Sequence, residues 1–358
     1  MATEAGKGGK LRRAVHPALP LRDAFKDWAH VRSDLRFEGE DQREPLLTIA
    51  IPTFRRGALL VEAVASAIAQ DFNGAIEVIV VDNDPQSRGY EQLLAQLPQL
   101  RRANFRYYVN AENIGMFGNW NRCVELGRGS WHALLNDDDL LDASFVTSML
   151  AILADARIDG LVSRKRALDE RNPQNAARLA RRASLPVRIL KRVRLEAQLF
   201  GKQQRRVSPR MLFFGNFLGN PVGLVARKAD LIALGGYYPE DYPSADYYFL
   251  VRFAYYLNLH QTRGILASIR IAENESARPE VVRGFLAKDQ VLRDRLTGVG
   301  VPGWWRGISP MLVADQRAYL KNSFSQEVSD EEIRKLGVRV VRHRPWLLRL
   351  TTTSLIGF

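Results

Sequence analysis

The chain has 358 residues, 46% hydrophobic and 25% charged. That is ordinary globular composition, with length for one large domain or two modest ones. A formal net charge of +13 and a pI near 10.0 favour anionic partners: nucleic acid, acidic lipid head groups or phosphorylated substrates. The single cysteine, Cys123, excludes an internal disulfide, and the chain groups too few ligands for a structural zinc site.

The opening residues, MATEAGKGGKLRRAVHPALP, have basic residues but no apolar core after them, so no secretory signal is expected. No stretch approaches the roughly 18 consecutive apolar residues of a membrane span. The expectation is a cytoplasmic protein, or one held from outside at the inner face of a membrane. Residues 1–45 read as an N-terminal extension. Within it, apolar spacing over residues 21–35 predicts one short helix.

A run of short apolar strands and helices follows. Residues 46–51 (LLTIAI), closed by Pro52, predict a buried strand, and 58–70 a helix packed on a sheet. Residues 75–81 (AIEVIVV) predict a second buried strand, stopping at Asp82-Asn83-Asp84-Pro85. A helix over 90–97, a strand over 105–109 and a helix over 119–126, ended by Gly127 and Gly129, come next. A strand over 131–135 stops at Asn136-Asp137-Asp138-Asp139, and 144–154 is helical. Such alternation predicts βαβ units and a mostly parallel sheet. Ligands bind beyond the carboxyl ends of such strands. The polar clusters Thr53-Phe54-Arg55, Asp82-Asn83-Asp84 and the triple aspartate all fall there.

Residues 164–210 differ: Lys and Arg crowd them, with only Asp169, Glu170 and Glu196 in opposition. Apolar residues interleave over 185–199, as in a basic amphipathic helix. Three readings stay open: a cover for an anionic acceptor, contact with an anionic membrane surface, or a solvated helix. The aromatic interleaving of a single-strand nucleic-acid binder is missing, and no specific nucleic acid is expected. A globular pattern resumes over 217–225 and from Ser244, and the tail from Arg339 is basic and apolar.

Three consecutive carboxylates after a buried strand repel one another unless a cation or hydrogen-bond donors compensate. Hard oxygen ligands suit Mg²⁺ or Mn²⁺, with substrate phosphate completing the shell. The plain alternative is a turn and helix cap, which Asp also favours. Asp82 ends its strand where a side chain reaches a base or ribose, or it builds a turn with its neighbours. Asn113-Ile114-Gly115 suits an αL turn, and Asn119 and Asn121 a helix start.

Together these residues resemble family 2 glycosyltransferases. Residues 47–56 (LTIAIPTFRR) look like that family's opening strand and loop, and 80–84 (VVDND) are similar to its second-strand aspartate motif. Asn113-x-Gly115, Asn119, Asn121 and Gly127-x-Gly129 follow its middle block. Residues 135–139 (LNDDD) resemble its metal-binding motif. The match is good over about 46–150 and looser over 215–276. It implies a GT-A fold, with a mostly parallel Rossmann-like sheet flanked by helices. Residues 46–155 would form the nucleotide-sugar half, 156–214 a basic helical insertion, 215–280 the acceptor half and 281–358 a C-terminal helical extension.

The resemblance also implies a nucleotide-diphosphate sugar donor, a glycan or lipid-linked acceptor, inversion at the anomeric carbon, and Mn²⁺ or Mg²⁺. Pro52, Thr53, Phe54, Arg55, Asp82, Asn113, Gly115, Asn119, Asn136 and Asp137 would hold the donor, and Asp138 and Asp139 the metal. Asn136 stands where the family usually has the first Asp of its metal motif. Gly235-Gly236-Tyr237-Tyr238 followed by residues 244–249 (SADYYF) is similar to the family's acidic motif, with Ala245 in place of Glu. Asp246 is left as the candidate base. Ala272 replaces the His of a frequent Arg-x-His element after Arg270. A sugar-phosphate nucleotidyltransferase is the rival enzyme class, but Thr53-Phe54-Arg55-Arg56-Gly57 is a poor Gly-rich phosphate loop. The membrane spans and Gln-x-x-Arg-Trp element of processive members are missing from the sequence, which points to single-sugar transfer.

Overall fold

The computed structural model describes Gly9 and residues 11–169, 203–271, 278–324 and 327–341. Ala272, residues 170–202 of the basic segment, and the tail from 342 lie outside the described residues.

The β-branched runs form strands as their composition requires. β1 (Ser33–Glu38), β2 (Leu47–Thr53), β3 (Ile76–Asp82), β4 (Phe105–Asn110) and β5 (Trp131–Leu134) alternate, after β1, with α1 (Ala58–Ile68), α2 (Gly89–Gln96) and α3 (Gly115–Leu126). Then come β6 (Leu140–Leu141), α4 (Phe145–Leu153), β7 (Gly160–Asp169), β8 (Gln204–Arg206), α5 (Pro209–Leu212), β9 (Leu224–Arg227), α6 (Lys228–Ala233), α7 (Ala245–Tyr256) and β10 (Leu259–Ile271). Three helices close the described part: α8 (Pro279–Leu296), α9 (Ser309–Phe324) and α10 (Asp330–Lys335).

One sheet runs β1-β4-β3-β2-β5-β9-β7-β10-β6, with β8 also on β10. Its centre, β4-β3-β2-β5, is parallel. β9 is antiparallel to both β5 and β7, so β7 and its parallel partner β10 run in the same direction as the central strands. β2 is buried at all seven positions, as a strand covered on both faces must be. Side chains alternate between layers: Ile49, Ile51, Val78 and Val80 face α1 and α4, while Ala50, Ile79 and Val81 face α3 and α7.

Two expectations are corrected. Only Ala24–Trp28 of residues 21–35 are helical, as a short 3₁₀ helix, and from Ser33 the chain enters β1, which pairs antiparallel with β4. Arg122 of α3 donates to the carbonyls of Trp28 (2.8 Å) and Val31 (2.7 Å). Those contacts hold the segment against α3 and outweigh its local spacing. Nor is the region 156–214 helical at its start. β7 is a sheet strand between β9 and β10, with Leu161 and Val162 in the core. Its Arg and Lys residues masked the strand pattern, because only its first half is fully buried.

At the amino ends of the strands, Glu77 is fully buried. It accepts from Thr48 Oγ1 (2.6 Å), from Arg106, and from the backbone N–H and Nε of Arg128. Burial alone would raise its pKa, but these donors hold it below the ordinary Glu value. The cluster also accounts for Gly129, where a Cβ would lie 2.6 Å from Thr48 N and 2.8 Å from Leu47 C. Glu77→Gln leaves Arg106 buried without its counter-charge. Urea unfolding should show a loss of about 3 kcal/mol or more; a change under ~1 kcal/mol would mean that the pair is not effectively buried.

Candidate active site

Register brings the predicted residues together. Thr53 pairs with Asp82, and Asp82 with Val109, so β2, β3 and β4 end at one level. Leu134 pairs with Ala50, and the aspartate run leaves the same edge. A cavity of about 260 Å³ opens there, lined by Thr53, Arg55, Arg56, Gly57, Asp82, Ser87, Gln92 and Tyr107, among others.

Asp82 is 3% exposed. Its Oδ2 accepts from the Tyr107 hydroxyl, and its Oδ1 from the Asp84 N–H at 3.0 Å. Burial pushes its pKa up, as does the charge of Asp84. Arg55 Nε reaches Asp84 Oδ2 at 2.8 Å, joining the loops after β2 and β3. Arg55 has φ +57, an uncommon conformation for a side-chain-bearing residue. Phe54 is exposed beneath the Arg55 guanidinium, 4.9 Å from ring centroid to Cζ. Pro52 is buried within β2, so it shapes the loop from below.

The asparagines form a separate internal network. Asn83 donates to Asn113 Oδ1 (2.7 Å), while Asn83 Oδ1 accepts from Asn110 and from the Ile114 N–H. Asn110 also donates to Asn119 Oδ1 (2.9 Å), and Asn119 donates to the Val81 carbonyl (2.8 Å). Asn119 therefore binds strand to helix within the protein. Asn113 is exposed and accepts the Gly115 N–H, with Gly115 at φ +74. Asn121 exchanges two hydrogen bonds with the Tyr237 backbone. At Gly236 (φ +74), a Cβ would lie 2.4 Å from Asn121 Oδ1, so α3 fixes the turn that leads to α7.

The three aspartates have different surroundings. Asp139 is 1% exposed. Its Oδ1 accepts the Arg270 N–H (2.9 Å), and its Oδ2 accepts from Asn136 (3.0 Å) and Asn220 (3.3 Å). Burial and the Asp138 charge push its pKa up to about 7. Arg270 also donates to the Asp138 carbonyl (3.0 Å) and to Glu62 of α1 (2.5 Å). Asp137 and Asp138 are only partly buried, and Arg56 faces both, 3.8 Å and 3.9 Å away. Burial, with the Asp138 charge, raises Asp137 to about 6.

Asp246 lies in the first turn of α7. Its Oδ1 accepts the Tyr247 N–H at 2.7 Å, and its Oδ2 lies 3.4 Å from Asn216 Nδ2. Burial, then the Asp289 charge, raises its pKa to about 7. Asp289 is held behind it by Ser244 Oγ at 2.8 Å. Lys165 of β7 lies near enough to Asp139 and Asp246 for both carboxylates to favour its charged form. Lys165, Asn216, Asn220 and Tyr107 were not singled out in the sequence. Lys165 was one base in a long basic run, and the others gain meaning only from their partners.

The model of glycosyl transferase family 2 matches residues 48–213, ending before Asp246. A stretch of 98 residues is 31% identical to the putative colanic acid biosynthesis glycosyl transferase WcaA of Escherichia coli (strain K12), covering 27% of this chain and 34% of that protein. Another 98-residue match, 28% identical, is to the uncharacterized protein MT1568 of Mycobacterium tuberculosis, covering 27% and 29%. The matches thus span about a third of these relatives' length. Among solved structures, S. aureus TarS 1-349 in complex with UDP-GlcNAc aligns at TM-score 0.56 and 15% identity, over 81% of this chain and 78% of that one. The UDP complex of the same protein gives 0.54 and 14%, over 81% and 77%. At such identity the likeness establishes the fold, a GT-A arrangement of helices around a sheet with a parallel centre. Residues 48–213 belong to glycosyl transferase family 2.

Proposed function

We propose that the chain transfers a sugar from a nucleotide-diphosphate sugar to a hydroxyl of a glycan or lipid-linked acceptor, with inversion at the anomeric carbon. The observation that carries this is the strand-end cavity lined by Asp82 and Arg56, with Arg56 facing Asp137 and Asp138, and the 216–220 loop that links the neighbouring Asp139 to a further carboxylate, Asp246. The cavity suits a base and ribose, with Asp82 as their polar contact and Thr53, Arg55 and Phe54 at its mouth. The match to a protein named for colanic acid biosynthesis supports a growing glycan as acceptor.

Among the described residues, no group of three His, Cys, Asp or Glu is spaced to hold a metal ion. A Mg²⁺ or Mn²⁺ site needs only one or two carboxylates when substrate phosphates complete its shell. Asp138, with Asp137 beside it, fits that pattern and would hold the ion. Asp139, whose oxygens already accept three internal hydrogen bonds, braces the loop and Asn136 supports it. A bound ion would supply Lewis-acid neutralisation of the leaving diphosphate. Arg56, already opposite both carboxylates, adds a partly exposed cation on the same side.

In the transfer, the acceptor oxygen bonds to the anomeric carbon and Asp246 takes its proton. The carbon–oxygen bond to the diphosphate breaks, and its electron pair leaves with the nucleoside diphosphate. Three outcomes follow. First, a thermal-shift panel of UDP, GDP and dTDP, with and without Mn²⁺, should select one base, since ligand binding raises apparent stability. Asp138→Ala should lose the Mn²⁺-dependent part of the shift; no stabilisation of wild type by any member contradicts the donor assignment. Second, Asp246→Asn should cut turnover by about 10²–10⁴-fold while leaving nucleotide affinity unchanged. Wild-type turnover in that folded variant removes Asp246 from the mechanism.

Third, turnover should depend on pH. With its pKa near about 7, Asp246 is protonated below that value and cannot accept the hydroxyl proton. Activity should rise with pH through 7 and level off above it. A flat profile between about pH 5.5 and 8 would be incompatible with this base.

A further inference from the structure

Lys165 is the least expected group in the site. Its ammonium gives all its observed hydrogen bonds to one five-residue loop, residues 216–220: the carbonyls of Leu218 (2.8 Å) and Asn220, and Asn220 Oδ1 (3.1 Å). The same loop touches both ends of the site. Asn220 donates to Asp139 Oδ2 at 3.3 Å, and Asn216 Nδ2 lies 3.4 Å from Asp246 Oδ2. Asn216 also closes the loop on itself, accepting from the Gly219 N–H and donating to its carbonyl. Lys165 thus ties a loop whose two asparagines hold acids on separate segments of the chain.

A lysine there is costly, since burial disfavours its charge and brings its pKa down to about 7. A fold that needed only filled space would place an apolar side chain at this point of β7. What the ammonium adds is three directed donors, all taken up by the 216–220 loop.

We propose that Lys165 is a positioning residue: with Asn216 and Asn220 it forms a strut that sets Asp246 relative to the aspartate run. This rests on the transferase assignment for its effect on turnover, but not for its effect on the loop. The strut fixes the distance between the group that takes the acceptor proton and the group beside the leaving diphosphate. Misplacement of either acid by about 1 Å is enough to cost around a hundredfold in rate.

The test uses the full chain with Lys165→Met, Asn220→Leu and the double variant. Hydrogen–deuterium exchange read by mass spectrometry should show faster exchange in peptides covering 213–223 and 244–250 in Lys165→Met, with the parallel strands unchanged. Unchanged exchange in both peptides overturns the strut, whatever the activity. Release of nucleoside diphosphate is then followed with UDP-GlcNAc, UDP-glucose and GDP-mannose. Lys165→Met should lower kcat by about tenfold to a hundredfold with KM for the donor unchanged. The double variant should lose no more than the worse single one, because the residues act as a unit. A rise in KM at constant kcat, or additive losses, overturns the positioning role. If wild type turns over none of the three donors, the transferase assignment fails on these substrates, and exchange alone decides for or against the strut.

Discussion

The cavity and the placing of the aspartate run beside it depend on the parallel register of β2, β3, β4 and β5. Parallel strands send their carboxyl ends to one edge, and here Thr53 stands level with Asp82, and Ala50 with Leu134. A slip of one residue would turn Asp82 to the opposite face and replace it with a neighbour. The register is held at the far end by Glu77, which joins β2, β4 and the turn before β5 through Thr48, Arg106 and Arg128. A buried charge cluster on one edge thereby determines where the polar chemistry of the other edge can stand.

At the carboxyl edge the problem is one of charge. Several carboxylates lie close together with limited solvent, and burial holds Asp137, Asp139 and Asp246 at about 6 to 7. Three cations meet them in different ways. Arg270 is buried and braces the aspartate loop against α1 through Glu62. Lys165 is enclosed by the 216–220 loop. Arg56 is partly exposed and faces Asp137 and Asp138 from 3.8 Å and 3.9 Å. The net charge of +13 says little about this site, since its cations are distinguished by burial and partners rather than by number.

Four parallel strands, their helices and the convergence of Asp82 with the aspartate run were legible in the sequence. Short β-branched runs ending in polar clusters carry that information locally. Asp246 was legible as an acidic residue at a helix start, but its surroundings were not. The roles of Asn119 and Asp139 read differently once folded: both have their polar atoms committed inside the protein.

The sequence by itself determined the central layers, because hydrophobic period and strand-end chemistry are properties of neighbouring residues. It also determined which residue types were available at the edge. Only the tertiary structure decided that residues 33–38 become an edge strand, that the basic run begins as β7 within the sheet, and that Lys165 ties down the 216–220 loop. Each of those outcomes depends on contacts between residues far apart in the chain, such as Arg122 with Val31 or Lys165 with Asn220. Local propensity has no access to such contacts, and a basic residue in a run of bases carries no mark of the partner it will meet.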